Sequence, residues 1–572
     1  MVFLEAHVKR IATRQNLTLL FCTCLVVVAF TPTLSNGFIR WDDDANFLEN
    51  FQFRGLTFES IAWAWTTAKL GVYQPLAWML FEIQYVGFGL SAWGYHLTSL
   101  LLHLANTFLF FRLAQRLFGI TLPNGQMDKA AGLAAMFFAL HPLRVETVAW
   151  ASAQPYLGAA FFSLLSLITY IDEKDSKTIP WKAMGFYATA LLFKPAAMGL
   201  CFIFILLDYY PFKKPFTVKK QIPFLGLGLL AGIIAVGARE ANGIENTSWL
   251  REVDLISILS RLGYSTLFYV RKTLLPFNLA GFYPTPTEPV LGPLGIMLAA
   301  FALLFTLRKS KPSVFTIGMA YLLLSLPFLG FLRVGTYLVA DRYSYLSTMG
   351  FYLGLGALWA LAPKRWMRTG SGILGTALVL LWGLTVIQTG YWKNSIVFWK
   401  HALEIPETRA MEARHEPFVA TARFGLAESY CDRKPPSPDG LREALRTVEY
   451  WKPWNFDVGK LLLSCGWPAE AEKILRRETE LNPRNGDGWN YLGLALNQLN
   501  RRSEAKEIFQ KGIGYDPTSV NLRSNLGILH ELDGQHQDAA LYLQEALRMA
   551  PEDRQIQKEL FAIQNKMAQT KR

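Results

Sequence analysis

Residues 486–519 read GDGWNYLGLALNQLNRRSEAKEIFQKGIGYDPTS, and the same outline recurs 34 residues to either side. Pro483, Pro517 and Pro551 are 34 apart, as are Gly425, Gly459, Gly493 and Gly527, and Ala471, Ala505 and Ala539. Such a period marks one supersecondary unit that buries its apolar face only by stacking on copies of itself. The small residues let paired helices approach, and the proline ends the second helix. Clear units run 452–485, 486–519 and 520–553, after a degenerate unit at 418–451 broken by Lys-Pro-Pro-Ser-Pro. Cys431 and Cys465 hold equivalent places in adjacent units. Packed helix axes lie about 8–10 Å apart and bridged Cα atoms need less than ~7 Å, so this spacing predicts that the two do not pair.

Trp489, Leu492, Gly493, Ala505, Phe509 and Pro517 make the middle unit resemble the tetratricopeptide repeat. The repeats predict an all-α domain over 391–572. Upstream, over 1–390, the chain changes character. Of the whole sequence, 52% is hydrophobic and only 18% charged, against roughly 25% charged in soluble domains. Apolar runs at 17–35, 91–111, 130–149, 155–171, 222–238, 290–307, 313–331, 346–362 and 370–389 read as spans. The run Leu17–Phe30 is followed by Thr-Pro-Thr-Leu rather than a small-residue cleavage site, so it reads as a retained first span.

The net charge of +13 sits in clusters between these runs: Lys9/Arg10/Arg14, Arg112/Arg116, Lys174/Lys177, Lys213/Lys214/Lys219/Lys220, Arg308/Lys309/Lys311 and Lys364/Arg365/Arg368. That placement suits membrane orientation rather than nucleic acid, and puts every cluster on the cytoplasmic side. Lys194-Pro195 interrupts 183–207, which reads as two short helices forming a hairpin, since proline breaks a helix. The expectation is a polytopic protein of about 11 crossings, in a bacterial inner membrane or an endoplasmic reticulum membrane. Its N-terminus is cytoplasmic and its repeats periplasmic or lumenal. Loops 36–90, 239–289 and 332–345 are then large and on the outer side. Thr57–Thr67, Pro75–Leu90 and Ser257–Leu275 read as amphipathic interfacial helices. Five cysteines without CxxC or Cys/His pairing argue against a zinc site or a disulfide framework.

This topology brings several ionisable residues to one face. Asp42 and Asp43 follow the first span, and read either as a capping turn or as a general base at the membrane surface. His141, Arg144 and Glu146 end the third expected span, where snorkelling polar groups are also common. Lys194 lies at the broken helix, and ionisable groups at membrane depth usually face a cavity or a partner. Arg342 and Tyr343 precede the 346–362 run, as a site cation or as an interfacial anchor. Carboxylates among cations suit a site that activates a hydroxyl and receives a departing phosphate.

Several motifs resemble the multi-span GT-C glycosyltransferases that carry tetratricopeptide repeats, the transmembrane and tetratricopeptide-repeat (TMTC-type) protein O-mannosyltransferases and their bacterial relatives. They are Phe38-Ile39-Arg40-Trp41-Asp42-Asp43, Tyr73-Gln74-Pro75-Leu76, His96 with His103, His141-Pro142-Leu143-Arg144-Val145-Glu146, Lys194-Pro195, Asp208-Tyr209, Arg342-Tyr343-Ser344-Tyr345-Leu346 and Trp392-Lys393-Asn394-Ser395. The resemblance implies inverting transfer of a mannose-like sugar from a polyprenyl- or dolichyl-phosphate to a hydroxyl, a Ser/Thr of a protein. It implies Asp42 or Asp43 as base, Asp42 aligning with the first acid of the motif, with Arg342, Lys194, Arg144, His141 and Tyr343 near the donor. Glu146, Gln154, His96 and His103 are further site candidates. It implies no tightly bound cofactor and leaves a role for a divalent metal open, with membrane lipid, the lipid-phosphate sugar and an acceptor protein as partners. Gln74 and Gln154 depart from it, standing where many relatives have arginine. Two other readings stay open: a non-catalytic scaffold recruiting partners through its repeats, and transfer to a glycolipid or glycan.

Overall fold

The computed structural model describes residues 22–122, 125–176, 178–215, 217–242, 255–284, 289–329, 338–414, 418–433, 435–450, 453 and 455–570. The described residues are helical, with no strand among them. They form two compact units that divide after Thr408. Residues 391–408, which the sequence division placed with the repeats, therefore lie in the first unit. Lys9, Arg10 and Arg14, and parts of the 17–35 run and of loops 239–289 and 332–345, fall outside the described residues.

Among the described residues of the first unit, four helices are long and apolar enough to cross a membrane: Ala92–Thr121, Ala151–Asp172, Val218–Glu240 and Lys364–Gly390. Shorter apolar segments are Cys22–Ser35, Pro195–Tyr209, Leu291–Leu307, Pro312–Phe328 and Met349–Leu361. Arg112 and Arg116 ride on the long helix Ala92–Thr121, and Lys364, Arg365 and Arg368 open the helix Lys364–Gly390, so these clusters are helical rather than in loops. At one end of the bundle, Arg116 pairs with Asp172 at 2.6 Å, Lys214 donates to Asp175 at 3.2 Å, and the Tyr209 hydroxyl donates to the Arg308 carbonyl at 2.7 Å. Four of the six basic clusters are thereby drawn together.

The expected span 130–149 is not one helix. Met127–Ala139 stops, and His141 is extended with ψ 131°. Pro142 pushes the residue before it out of the helical region and cannot donate a backbone hydrogen bond. The chain turns back through Pro142–Arg144 and Val145–Ala149, all buried. The reading at Lys194 is matched: Trp181–Phe193 ends there, and Leu200–Tyr209 follows after a 3-10 turn. The expected interfacial segments are the helices Phe58–Thr66, capped reciprocally by Thr57 and Ser60, Pro75–Phe88 and Leu255–Leu274.

The second unit is a stack of antiparallel helix pairs, with Gly486–Gln498 and Arg502–Tyr515 as the middle pair. The recurrent glycines have a steric cause. A Cβ on Gly459 would overlap Leu475, one on Gly493 would overlap Phe509, and one on Gly527 would crowd Leu543. Ala471, Ala505 and Ala539 are fully buried opposite. The Trp489 indole donates to the Pro483 carbonyl at 2.7 Å, joining one unit to the next. The expectation that Cys431 and Cys465 stay apart is wrong: they form a disulfide with Cα atoms 5.6 Å apart. Axis separation overstates the gap, because residues that face each other lie closer than the axes do. Gly493→Val should destabilise the repeat unit by about 1–3 kcal/mol, the usual cost of overpacking. Protease resistance of the full chain under graded denaturant checks this, with unchanged resistance counting against the packing account.

Candidate functional site

The site is built on the segment that follows Ser35. Its backbone is held from the far end of the first unit: Gly37 N–H donates to the Lys393 carbonyl at 3.0 Å, and Arg40 N–H to Ser395 Oγ at 2.8 Å. Trp41 stacks on Trp399 with ring centres 4.9 Å apart and planes 2° from parallel, and meets Phe282 and Phe398 edge-on. The Trp392-Lys393-Asn394-Ser395 motif is thus the clasp of this segment. Such aromatic pairs contribute about 0.5–1.5 kcal/mol each beyond burial.

Asp42 and Asp43, equivalent in sequence, are separated here by their partners. Asp43 is fully buried, accepts Ile39 N–H on Oδ2 at 2.8 Å, and accepts both Ser152 N–H, at 3.0 Å, and Ser152 Oγ–H on Oδ1. Burial pushes its carboxyl up to about 7, against the pull of those three donors. All of its accepting geometry is committed to structure. The Asp42 carboxylate, half-buried, accepts no hydrogen bond from the described residues. Burial raises its pKa, while the charges of Arg342 and Lys194 pull it back.

Those two cations are themselves held. Glu146, brought in by the short helix after Pro142, accepts the Arg342 backbone N–H at 2.8 Å and pairs with its guanidinium. The guanidinium lies 5.1 Å from the Trp150 ring centre and donates to the Tyr343 hydroxyl at 3.3 Å. Tyr343 stacks on Phe328 at 4.1 Å. Lys194 donates to the Gln74 side-chain oxygen at 2.8 Å and sits 5.2 Å from the Tyr156 ring centre. Gln74 therefore orients the lysine without adding charge.

The other candidates serve the frame. Arg144, expected near the donor, is fully buried and donates to the carbonyls of Ser344 and Tyr345 and the hydroxyls of Ser344 and Thr348, at 2.9 to 3.3 Å. His141 accepts Leu143 N–H at 3.2 Å and faces the Thr273 carbonyl at 3.0 Å, so both ring nitrogens are occupied. His103 is occupied likewise, by Tyr345 and the Ala139 carbonyl. His96 is buried against the backbone of Asn36 and Gly37. Gln154 bonds Gln84, Ser99 and the Tyr95 carbonyl in a buried neutral network, where a charge would lack a counter-ion. These groups are taken up by the frame, whereas the Asp42 carboxylate, in the field of Lys194 and Arg342, is not.

Sequence reasoning missed Ser152, Tyr156 and Trp150, which no spacing distinguishes. It also missed Asp341, which accepts from the Tyr283 hydroxyl at 2.9 Å, and the buried Lys272, which donates to the carbonyls of Phe277 and Asn278 at 2.9 Å. The one available signal was that Arg261, Arg271 and Lys272 charge the helix Leu255–Leu274 and mark it as interfacial rather than spanning.

A tetratricopeptide-repeat family model matches residues 498–554. Among curated proteins, the chain is similar to protein O-mannosyl-transferase tmtc2 of Xenopus laevis, 25% identical over 445 residues that cover 59% of this chain and 52% of that protein. It is similar to protein O-mannosyl-transferase TMTC3 of Homo sapiens, 22% identical over 547 residues, 80% of this chain and 59% of that one. A shorter match, 31% identical over 201 residues, covers 33% of this chain and 20% of protein O-mannosyl-transferase Tmtc2 of Drosophila melanogaster. The chain thus spans 52% and 59% of the two relatives it matches at length. Among solved structures, ArnT from Cupriavidus metallidurans bound to undecaprenyl phosphate aligns at a TM-score of 0.36 and 14% identity, over 82% of this chain and 80% of that one.

The division between the two acids is testable by melting. Asp43→Asn turns an acceptor into a donor facing other donors and should destabilise the protein by about 1–3 kcal/mol. Asp42→Asn should melt as the parent does. Equal melting of both variants would overturn the division.

Proposed function

We propose that the chain is a membrane glycosyltransferase that moves a mannose-like sugar from a polyprenyl-phosphate or dolichyl-phosphate carrier to a Ser/Thr hydroxyl. One observation carries the reading: an uncommitted carboxylate, Asp42, faces two cations, Arg342 and Lys194, each fixed by its own partner. The names of the curated relatives support the same class. Asp42 takes the acceptor's hydroxyl proton as its oxygen attacks the anomeric carbon. The bond from that carbon to the phosphate oxygen breaks, and the lipid phosphate leaves with its charge against Arg342 and Lys194. A phosphate leaving group needs no general acid, so one carboxylate suffices, unlike the pair used in glycoside hydrolysis. This single displacement inverts the anomeric centre.

The lipid tail has a place to lie. An apolar cavity of about 200 Å³ is lined by Leu200, Ile203, Leu324, Leu346 and Met349, among others. Leu346 and Leu200 lie a few residues beyond Arg342 and Lys194 in the chain. In this reading the basic clusters face the cytoplasm, the site opens on the other side, and the repeats present a stacked-helix surface to the acceptor polypeptide. The donor is a substrate, and the chemistry calls for no resident cofactor.

The test is transfer by the purified full chain from labelled lipid-phosphate sugars. Asp42→Asn should bind donor normally and lose 10²–10⁴-fold in transfer, the usual worth of a general base. Arg342→Gln and Lys194→Met should each lose about 10²–10³-fold. Transfer requires the ionised base, so kcat/KM should rise with pH through the folded-state pKa of Asp42. Because burial raises that pKa, the acid limb should lie above the ordinary carboxylate value of about 3.9. Wild-type turnover in Asp42→Asn would remove the base assignment, and absence of transfer from every donor would favour the scaffold.

A further inference from the structure

The degenerate unit 418–451 is poorly equipped to stay docked on the regular repeats. It carries Glu449 where the regular units have their proline, and Ser437 where they have alanine. To the core it shares with those repeats it contributes only Ala427 and Ala444 as fully buried residues among those described. The regular units contribute Leu475, Trp489, Leu492, Leu496 and Phe509 to the same core. Alanine buries far less apolar area than leucine or tryptophan, and hydrophobic stabilisation scales with that area. In a repeat stack the stability of a terminal unit rests on its one nearest-neighbour interface.

That weak interface is crossed by the disulfide Cys431–Cys465. Cys431 ends the first helix of the degenerate unit, and Cys465 follows the equivalent helix of the next. The bond closes a loop of 34 residues in sequence. The remaining cysteines, Cys22, Cys24 and Cys201, are free and lie in the apolar segments Cys22–Ser35 and Pro195–Tyr209. Every cysteine of the repeat unit is therefore paired, and every cysteine of the apolar segments is not.

We propose that Cys431–Cys465 is a covalent staple that holds the degenerate repeat onto the regular ones, formed by oxidation of the two thiols to a disulfide in the compartment where the repeats mature. Structural disulfides persist in oxidising compartments and are rare in the cytosol, so the staple places residues 409–572 in a periplasm, a lumen or the exterior. The oxidant is the thiol–disulfide exchange machinery of that compartment, which takes up the two electrons and two protons. The proposal does not rest on the transferase reading, and its measurements involve no donor or acceptor.

The first measurement is a thiol count on the full chain taken from membranes, denatured in detergent and treated with a polyethylene-glycol maleimide. Of the five cysteines, three should react without reductant and all five after reduction. Cys431→Ser should give four without reductant, because Cys465 is released. Four or five additions to the parent chain without reductant, or three in Cys431→Ser, would overturn the pairing. The second measurement is trypsin cleavage after Arg423, buried in the first helix of the degenerate unit, in the native full chain. Opening of the stapled unit should raise the rate by roughly 10- to 100-fold on reduction or in Cys431→Ser, from the loop entropy released. An unchanged rate would show the bond to be present without acting as a staple.

Discussion

The site depends on how one buried carboxylate is satisfied. An ionisable group sealed from water without partners costs several kcal/mol or changes its protonation state. For Asp43 three hydrogen bonds, one local from Ile39 and two from Ser152, 109 residues away, offset part of that cost. The same contacts fasten the segment after the first apolar run to the start of the helix Gln154–Asp172. Trp41 and the clasp around Trp392–Trp399 secure it from the other side. With its neighbours so committed, Asp42 is held in place by backbone alone and keeps its own carboxylate free.

The division between committed and uncommitted groups runs through the whole first unit. Arg342 is neutralised by Glu146, so its guanidinium can stay buried and oriented before any substrate arrives. Arg144 shares the motif with Glu146 but spends its donors on neutral oxygens and ties the 142–149 turn to the 344–348 turn. Lys194 has a neutral amide, the Gln74 side chain, as its hydrogen-bond partner. In the transfer proposed above, preorganised charges of this kind would stabilise a developing phosphate without reorganising during the reaction. Framework charges such as Arg144 and Lys272 make that preorganisation possible by fixing the turns that carry the reactive ones.

The repeat unit obeys a different constraint, translation by one period. Glycine and alanine recur where helices touch, and two cysteines one period apart meet closely enough to bond. The same regularity makes departures consequential. Where the 418–451 unit lacks the proline of its neighbours and gives the shared core only two alanines as fully buried residues, a covalent bond stands at that place.

What the sequence determined by itself was everything carried by local or periodic signals. The 34-residue period follows from packing repeated within each unit, the apolar runs from transfer out of water, and the break at Lys194-Pro195 from a ring that cannot donate a hydrogen bond. The sequence also grouped Asp42, Lys194 and Arg342, through the parity that basic clusters impose on apolar runs. Only the tertiary structure decided which acid is free, because two of the three hydrogen bonds that take up Asp43 come from a serine more than a hundred residues away. Tertiary contact likewise withdrew Arg144, His141, His103 and Gln154 into the frame. It broke the 130–149 run at Pro142, where apolar composition had outweighed a proline, because the shortened helix lets Glu146 reach Arg342. It brought Cys431 to Cys465, because the distance between facing residues is set by the small side chains between two helices, not by the spacing of their axes.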